Sequence, residues 1–203
     1  MKLYYSPTSP YVRKVMVLLH ETGQLDDVEL ALISGTPLDP VATYVGTNPL
    51  TKVPALDRPD GGTLFDSRVI CAYLDDRAGG VVYPTGARQW DTLTLEALAD
   101  GMLDAALAIT YEARLRPEGK RMDAWADGQW AKIKQACAAL NTRWMDHLNG
   151  PLDMGQIAVA CALGYVDFRH DARGWRSGNT ALADWFETFA ARPAMVETRP
   201  PEG

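Results

Sequence analysis

The chain has only three cysteines in 203 residues, and no two of them stand in a Cys-x-x-Cys spacing. Cys71, Cys137 and Cys161 lie among apolar residues, as in "VICAYL" and "VACALG". An odd number without paired spacing argues against a disulfide framework and for a reducing compartment. All three read as small core residues, because free cysteine is among the most buried residue types. Basic charge is also in short supply: 20 Lys and Arg face 26 Asp and Glu, for a net −6. That excludes nucleic acid or an anionic membrane as the main partner, though a local basic patch can still hold a small anion. No run approaches the roughly 18 apolar residues of a membrane span. The opening apolar run is too short for a signal peptide, so a cytoplasmic protein is expected. There is no Walker-type loop, GxGxxG or GxSxG, which removes support for nucleotide and serine-hydrolase chemistry. His20, His147 and His170 form no metal spacing, and no metal is expected.

What is present is a change of texture along the chain. Residues 2–5 and 28–34 are short apolar runs with strand character. Between them 11–22 reads as a helix, with Ser9 at a cap position, Pro10 in the first turn and Gly23 beyond the end. Residues 35–52 read as loop. "VPAL" (53–56) and "TLFD" (63–66) read as two short strands around "RPDGG", followed by a helix from "SRVI". After the turn-rich "GGVVYPTG" the strands stop. Helices are expected over 87–115, about 121–148, from near Asp153, and over 180–191. The layout is a small α/β domain (1–78), a linker (79–86) and an all-helical domain (87–203).

Three motifs bear on chemistry. Pro54 interrupts an apolar run, which fits either an edge strand or a cis bond that leaves the preceding backbone groups open to an extended ligand. In "FDSR", Asp66 and Ser67 cap a helix; the same geometry suits a ligand bearing a carboxylate and an ammonium on one carbon. "LDMGQIAV" is a capping box of Asp153 and Gln156 and reads as structural. Asp100 and Asp104 share one face of the first long helix, either solvated or at the edge of a cleft, and Tyr111 continues that face.

The segments "SPTSPYVRKV", "NPLTKVPAL" and "FDSRVICAYL", with the later capping box, resemble the cytosolic glutathione transferase family along essentially the whole chain. The "SPY" opening is similar to serine-type, bacterial-like members. The resemblance implies a thioredoxin-like N-terminal domain with a four-stranded mixed sheet and an all-α C-terminal domain. It implies that Ser9 faces the glutathione sulfur as the catalytic residue, and that Lys52, Val53, Asp66 and Ser67 hold the tripeptide. Val53 would act through its backbone, and Asp66 and Ser67 would take the γ-glutamyl end. Tyr11, Asp104 and Tyr111 become candidates for the electrophile site or a partner-subunit contact. Glutathione would be a co-substrate, with no permanently bound cofactor, and a small apolar electrophile would be the second partner of a cytoplasmic homodimer active in detoxification. Glutathione-dependent isomerase, dehalogenase or lyase activity and non-catalytic binding or assembly are the alternatives. Gln156 departs from the family's usual acidic residue, but an amide can still close the box. The frame of a thiol site without protein thiols then has a simple reading: the thiol belongs to the ligand.

Overall fold

In the computed structural model, which describes residues 1–201, the opening apolar run forms β1 (Lys2–Tyr5). The chain turns through Ser6–Ser9 and enters α1 (Pro10–Glu21). Ser9 is extended at φ −82° and ψ 121°, and Pro10 starts the helix with its φ already set. Gly23, at φ +65°, ends it. Val12, Val15, Leu18 and Leu19 form the buried face. β2 (Glu29–Leu32) pairs parallel with β1, Leu3 opposite Leu30, and β3 (Ala55–Asp57) pairs antiparallel with β1, Tyr4 opposite Ala55. The sheet order is β2-β1-β3. α2 (Ser67–Arg77) follows.

The expected fourth strand is a single bridge. Leu56 and Leu64 exchange both backbone bonds at 2.9 and 2.8 Å, and pairing goes no further. Gly61 and Gly62 lie in the turn between these two residues, and Asp66 already caps α2, so little chain remains to pair. The fold class stands as a small mixed sheet with helices. The residues after α2 are held in place: the buried Asp75 carboxylate accepts from the backbone N–H groups of Val81, Val82 and Tyr83 at 2.7, 2.7 and 3.1 Å.

Residues from Pro84 to Arg192 form a separate compact unit. It contains α3 (Ala87–Leu115), α4 (Asp123–Arg143), α5 (Met145–Leu148), α6 (Met154–His170) and α7 (Thr180–Ala190). The helix expected over 121–148 is broken at Trp144, whose ψ of 1° takes it out of helical geometry. α6 is apolar on nearly all sides and buried for most of its length, as such a helix must be. It packs so closely on α3 that a Cβ on Gly155 would stand 2.9 Å from the Leu95 Cβ.

The capping box at the start of α6 is complete. Gln156 N–H donates to Asp153 Oδ1, and Asp153 N–H donates to Gln156 Oε1, both at 3.1 Å. Asp153 Oδ2 also takes Thr92 Oγ1 (2.9 Å), His147 Nε2 (2.7 Å) and Arg88 Nη2 (2.9 Å). The Gln156 amide donates to the carbonyls of Leu148 and Gly150 at 2.9 and 3.1 Å, so the amide departing from the family pattern is fully used.

The last helix, α8 (Pro193–Glu197), belongs to the first unit and not to the helical domain expected over 87–203. It packs on α1, where Arg13 Nη2 donates to the Met195 carbonyl at 3.0 Å. Among the described residues no helix is long and apolar enough to cross a membrane.

Candidate functional site

The sheet register brings three sequence-predicted pieces to one end of the first unit. β1 ends at Tyr5 and leads to Ser9. β3 runs the other way, so Val53 and Pro54 precede it at that same end. The Leu56–Leu64 bridge is antiparallel as well, which brings the chain back to the level of Pro54 at Asp66 and Ser67. The peptide bonds Val53–Pro54 and Phe65–Asp66 are both cis.

Ser9 caps α1. Its Oγ accepts from Val12 N–H at 3.4 Å, a long bond. A hydroxyl has one donor hydrogen and two lone pairs, so this bond leaves the O–H free to donate. The first turn of α1 carries no acidic residue to offset the positive end of the helix. Ser9 is half-buried, as is Tyr11 in the same turn.

Val53 is half-buried, and its backbone N–H and C=O have no hydrogen-bond partner among the described residues. The residues before it are fixed tightly. Tyr44 Oη and Asn48 Nδ2 both donate to the Lys52 carbonyl, at 2.9 and 2.8 Å. Asn48 Oδ1 accepts from Leu50 N–H at 3.0 Å, and Thr51 takes a left-handed φ of +52° between them. Tyr44 and Asn48 are buried, and burial raises the Tyr44 phenol above its ordinary pKa. The Lys52 side chain is exposed. Tyr44 carries no signal in the sequence, and for Asn48 the signal is Asn-Pro at 48–49, which marks a side-chain-closed turn.

Asp66 is exposed and caps α2 by accepting from Arg68 N–H at 2.9 Å. Its carboxylate also lies 3.6 Å from Arg68 Nε. Ser67, the first residue of α2, is buried, and its Oγ has no hydrogen-bond partner. A lone buried hydroxyl at a helix N-terminus is an available contact for an anion.

On α3 of the helical unit, Asp104 is exposed, while Asp100 and Tyr111 are half-buried. Glu112, next to Tyr111, accepts from Arg116 Nε (2.7 Å) and from Met122 N–H (2.9 Å), closing the turn between α3 and α4. Of the three histidines, His147 and His170 are pinned inside the helical unit, the first to Asp153 and the second to the Ala106 carbonyl at 2.9 Å. Burial pushes the Cys137 thiol up to about 12, as expected of an inert core cysteine. Among the described residues no group of His, Cys, Asp and Glu could hold a metal ion.

Comparison with known proteins gives a consistent result. The family model for the glutathione S-transferase N-terminal domain matches residues 8–77, and that for the C-terminal domain matches 123–188. The chain is 31% identical over 206 residues to the uncharacterized GST-like protein YibF of Escherichia coli K12, covering 100% of both. A glutathione transferase family member from Pseudomonas fluorescens Pf-5, solved with bound glutathione, is 46% identical; the TM-score is 0.95, with 98% of each chain covered. A structure of a family member from the same organism with bound S-(propanoic acid)-glutathione is 45% identical, with a TM-score of 0.91 over 99% of this chain and 100% of that one.

Proposed function

Since the chain belongs to the glutathione S-transferase family, we propose that it binds glutathione at the end of its sheet and uses Ser9 to ionise the thiol. The observation that carries this reading is the Ser9 hydroxyl, which spends one lone pair on a helix cap and keeps its hydrogen. A free thiol has a pKa of about 8.5, so only a few per cent is thiolate at neutral pH. A hydrogen bond to a charged group contributes roughly 1.5–3 kcal/mol, and one pKa unit is about 1.4 kcal/mol. Ser9 therefore lowers the bound thiol by about one to two units, and the uncompensated helix end adds to this. The thiolate becomes the main species near neutrality and attacks an electrophile held close to it.

The remaining assignments follow the same reading. Glutathione is bound by relatives solved with it, and its extended backbone suits the unpaired Val53 N–H and C=O. Lys52 lies beside the cysteinyl unit. Ser67 Oγ and the α2 N-terminus take the γ-glutamyl carboxylate, and Asp66 takes the ammonium. Glutathione is a co-substrate and nothing is held permanently. The first domain carries the glutathione site, and the helical domain supplies the electrophile site. That site receives a small electrophile with an apolar body against Tyr111, and Tyr11 borders the sulfur. The protein works as a cytoplasmic homodimer in which Asp104 approaches the partner's γ-glutamyl ammonium. Conjugates of glutathione with small acids, such as the one held by the Pseudomonas fluorescens protein, are the kind of product expected.

The test is an ultraviolet thiolate titration of the bound tripeptide, after retention on immobilised glutathione, with sedimentation at micromolar concentration for the dimer. Binding without a lowered thiol pKa would leave a glutathione carrier. No binding at all would leave an assembly module.

A further inference from the structure

Leu3 of β1 is buried, and the two residues flanking it, Lys2 and Tyr4, share the opposite face of the strand. On β3 the register partner of Tyr4 is Ala55, and Asp57 is its diagonal neighbour on that face, within reach of an aromatic side chain. The Tyr4 hydroxyl donates to Asp57 Oδ2 at 2.8 Å, and Thr63 Oγ1 donates to the other oxygen of the same carboxylate. The bond to Asp57 holds the Tyr4 phenol above its ordinary pKa of 10, so it stays a donor.

Tyr4 also meets the loop that leads to Val53. Its ring packs on the Tyr44 ring, with centres 5.4 Å apart and planes at 51°. Tyr44 stands in the short turn Ala42–Tyr44 and is 2% exposed. Its carbonyl accepts from the Thr47 and Asn48 N–H groups, both at 3.0 Å, and its hydroxyl donates to the Lys52 carbonyl. Thr47 in turn hydrogen-bonds the Tyr4 phenol. Strand and loop are thus joined twice, ring on ring and threonine on phenol. All of these residues lie in the first unit.

This series of contacts ends one peptide bond from a backbone group without a partner, the Val53 N–H. Packing alone would be satisfied by an apolar pair at positions 4 and 44. A buried phenol and a buried amide that both donate to one carbonyl do more, because they set the direction of the Lys52–Val53 peptide plane. β1 also leads to Ser9. One strand therefore places the Ser9 hydroxyl through its backbone and Val53 through its Tyr4 side chain.

We propose that Tyr4 is a positioning residue for glutathione: by fixing Tyr44 it aims the Val53 N–H at the cysteinyl carbonyl of the tripeptide. The inference rests on the glutathione reading above and extends it to a side chain that does not touch the ligand. Extended backbones pair through both N–H and C=O, so a misdirected Val53 loses binding energy. Ionisation of the thiol is untouched, because Ser9 meets the sulfur by its own route.

The experiment combines calorimetric binding of glutathione with amide exchange followed by NMR, on the full chain. Glutathione should slow exchange of the wild-type Val53 N–H about tenfold or more. Tyr4→Leu removes ring and hydroxyl. It should raise the Kd for glutathione about fivefold, the size expected of an aromatic contact. The slowing at Val53 should fall to within about twofold. Tyr4→Phe keeps the ring and should lie between wild type and Tyr4→Leu on both measures. The pKa of the bound thiol should hold in both variants. The Leu56 N–H, bonded to the Leu64 carbonyl at 2.9 Å, reports that the sheet is intact. Thermal melting identifies which variants are folded, and Tyr4→Phe serves if Tyr4→Leu is not. Wild-type affinity and Val53 protection in the folded variants overturn this assignment alone. So does a thiol pKa that rises together with the Kd, which would mark a general loosening, and so does wild-type binding that leaves Val53 exchange unslowed. Failure of the wild type to bind glutathione overturns the functional reading, and this inference with it.

Discussion

The Asn48 side-chain amide donates to the Lys52 carbonyl at 2.8 Å, closing a loop onto the residue before Val53. The Lys52 carbonyl and the Val53 N–H belong to one planar peptide unit, so fixing one fixes the direction of the other. Asn48→Ala is therefore expected to raise the Kd for glutathione about tenfold while leaving the pKa of the bound thiol in place. It should also cost roughly 1–3 kcal/mol of stability, the usual loss for a buried donor. Tyr44→Phe, which leaves the Asn48 bond intact, should do less on both counts. Lower melting with unchanged glutathione affinity would reduce Asn48 to a structural role.

Ser9→Ala should raise the thiol pKa of bound glutathione by about one to two units with little change in affinity. Loss of the cap costs little stability, because the Val12 bond is already long at 3.4 Å. Ser9→Cys should change the chemistry. Its thiolate attacks oxidised glutathione, forming a mixed disulfide and releasing one glutathione thiolate. Mass spectrometry should find one glutathione on residue 9, and the wild type should carry none there. An unmodified mutant with full conjugating activity would show that residue 9 does not face the sulfur.

Asp66→Asn separates the helix cap from the charge. Asparagine caps as well as aspartate, so the melting temperature should hold. Affinity for glutathione should drop about fivefold or more, consistent with a charged hydrogen bond. An analogue without the γ-glutamyl ammonium should bind the mutant as it binds the wild type. Equal losses for both ligands would return Asp66 to a capping role alone.

Two groups set the acid limb of stability in different windows. Burial lowers the folded pKa of His170 below its ordinary 6.5, against a weaker raising effect of the Ala106 carbonyl. Below pH 6.5 the unfolded chain takes up a proton that the folded chain refuses, so stability is full above 6.5 and declines as pH falls. Glu112 is lowered from 4.5, first by the Arg116 hydrogen bond and then by the Met122 N–H. Its contribution is present above 4.5 and is lost as pH falls through the folded value. Urea midpoints of His170→Gln should be flatter between pH 6.5 and 5, with the steeper fall below 4.5 retained. Parallel curves for mutant and wild type would rule out the histidine's part.

The junction residues are legible in the sequence because their roles are set by near neighbours. Ser9 before Pro10, Asp66 before α2 and the Asp153–Gln156 box each cap a helix within three residues of themselves. The Val53–Pro54 reading depends only on proline in an apolar run. What escapes is set by distant partners or by backbone angles. Arg13 reads as a helix-face arginine until α8 arrives 182 residues later to accept its hydrogen bond. Arg88 and His147 converge on Asp153 through folding, not spacing. The Asn48 turn is announced by Asn-Pro, but its grip on Lys52 needs the left-handed Thr51.

The return of α8 to α1 makes the first unit discontinuous, with the whole helical unit inserted between its parts. During synthesis the sheet and α1 emerge before the helical unit, yet the helix that Arg13 holds emerges after it. The helical unit has all of its residues while the earlier unit still waits for its own. Birth order and completion order along this chain are therefore reversed. A fragment cut at the linker would display the sheet while leaving uncovered the side of α1 that α8 protects.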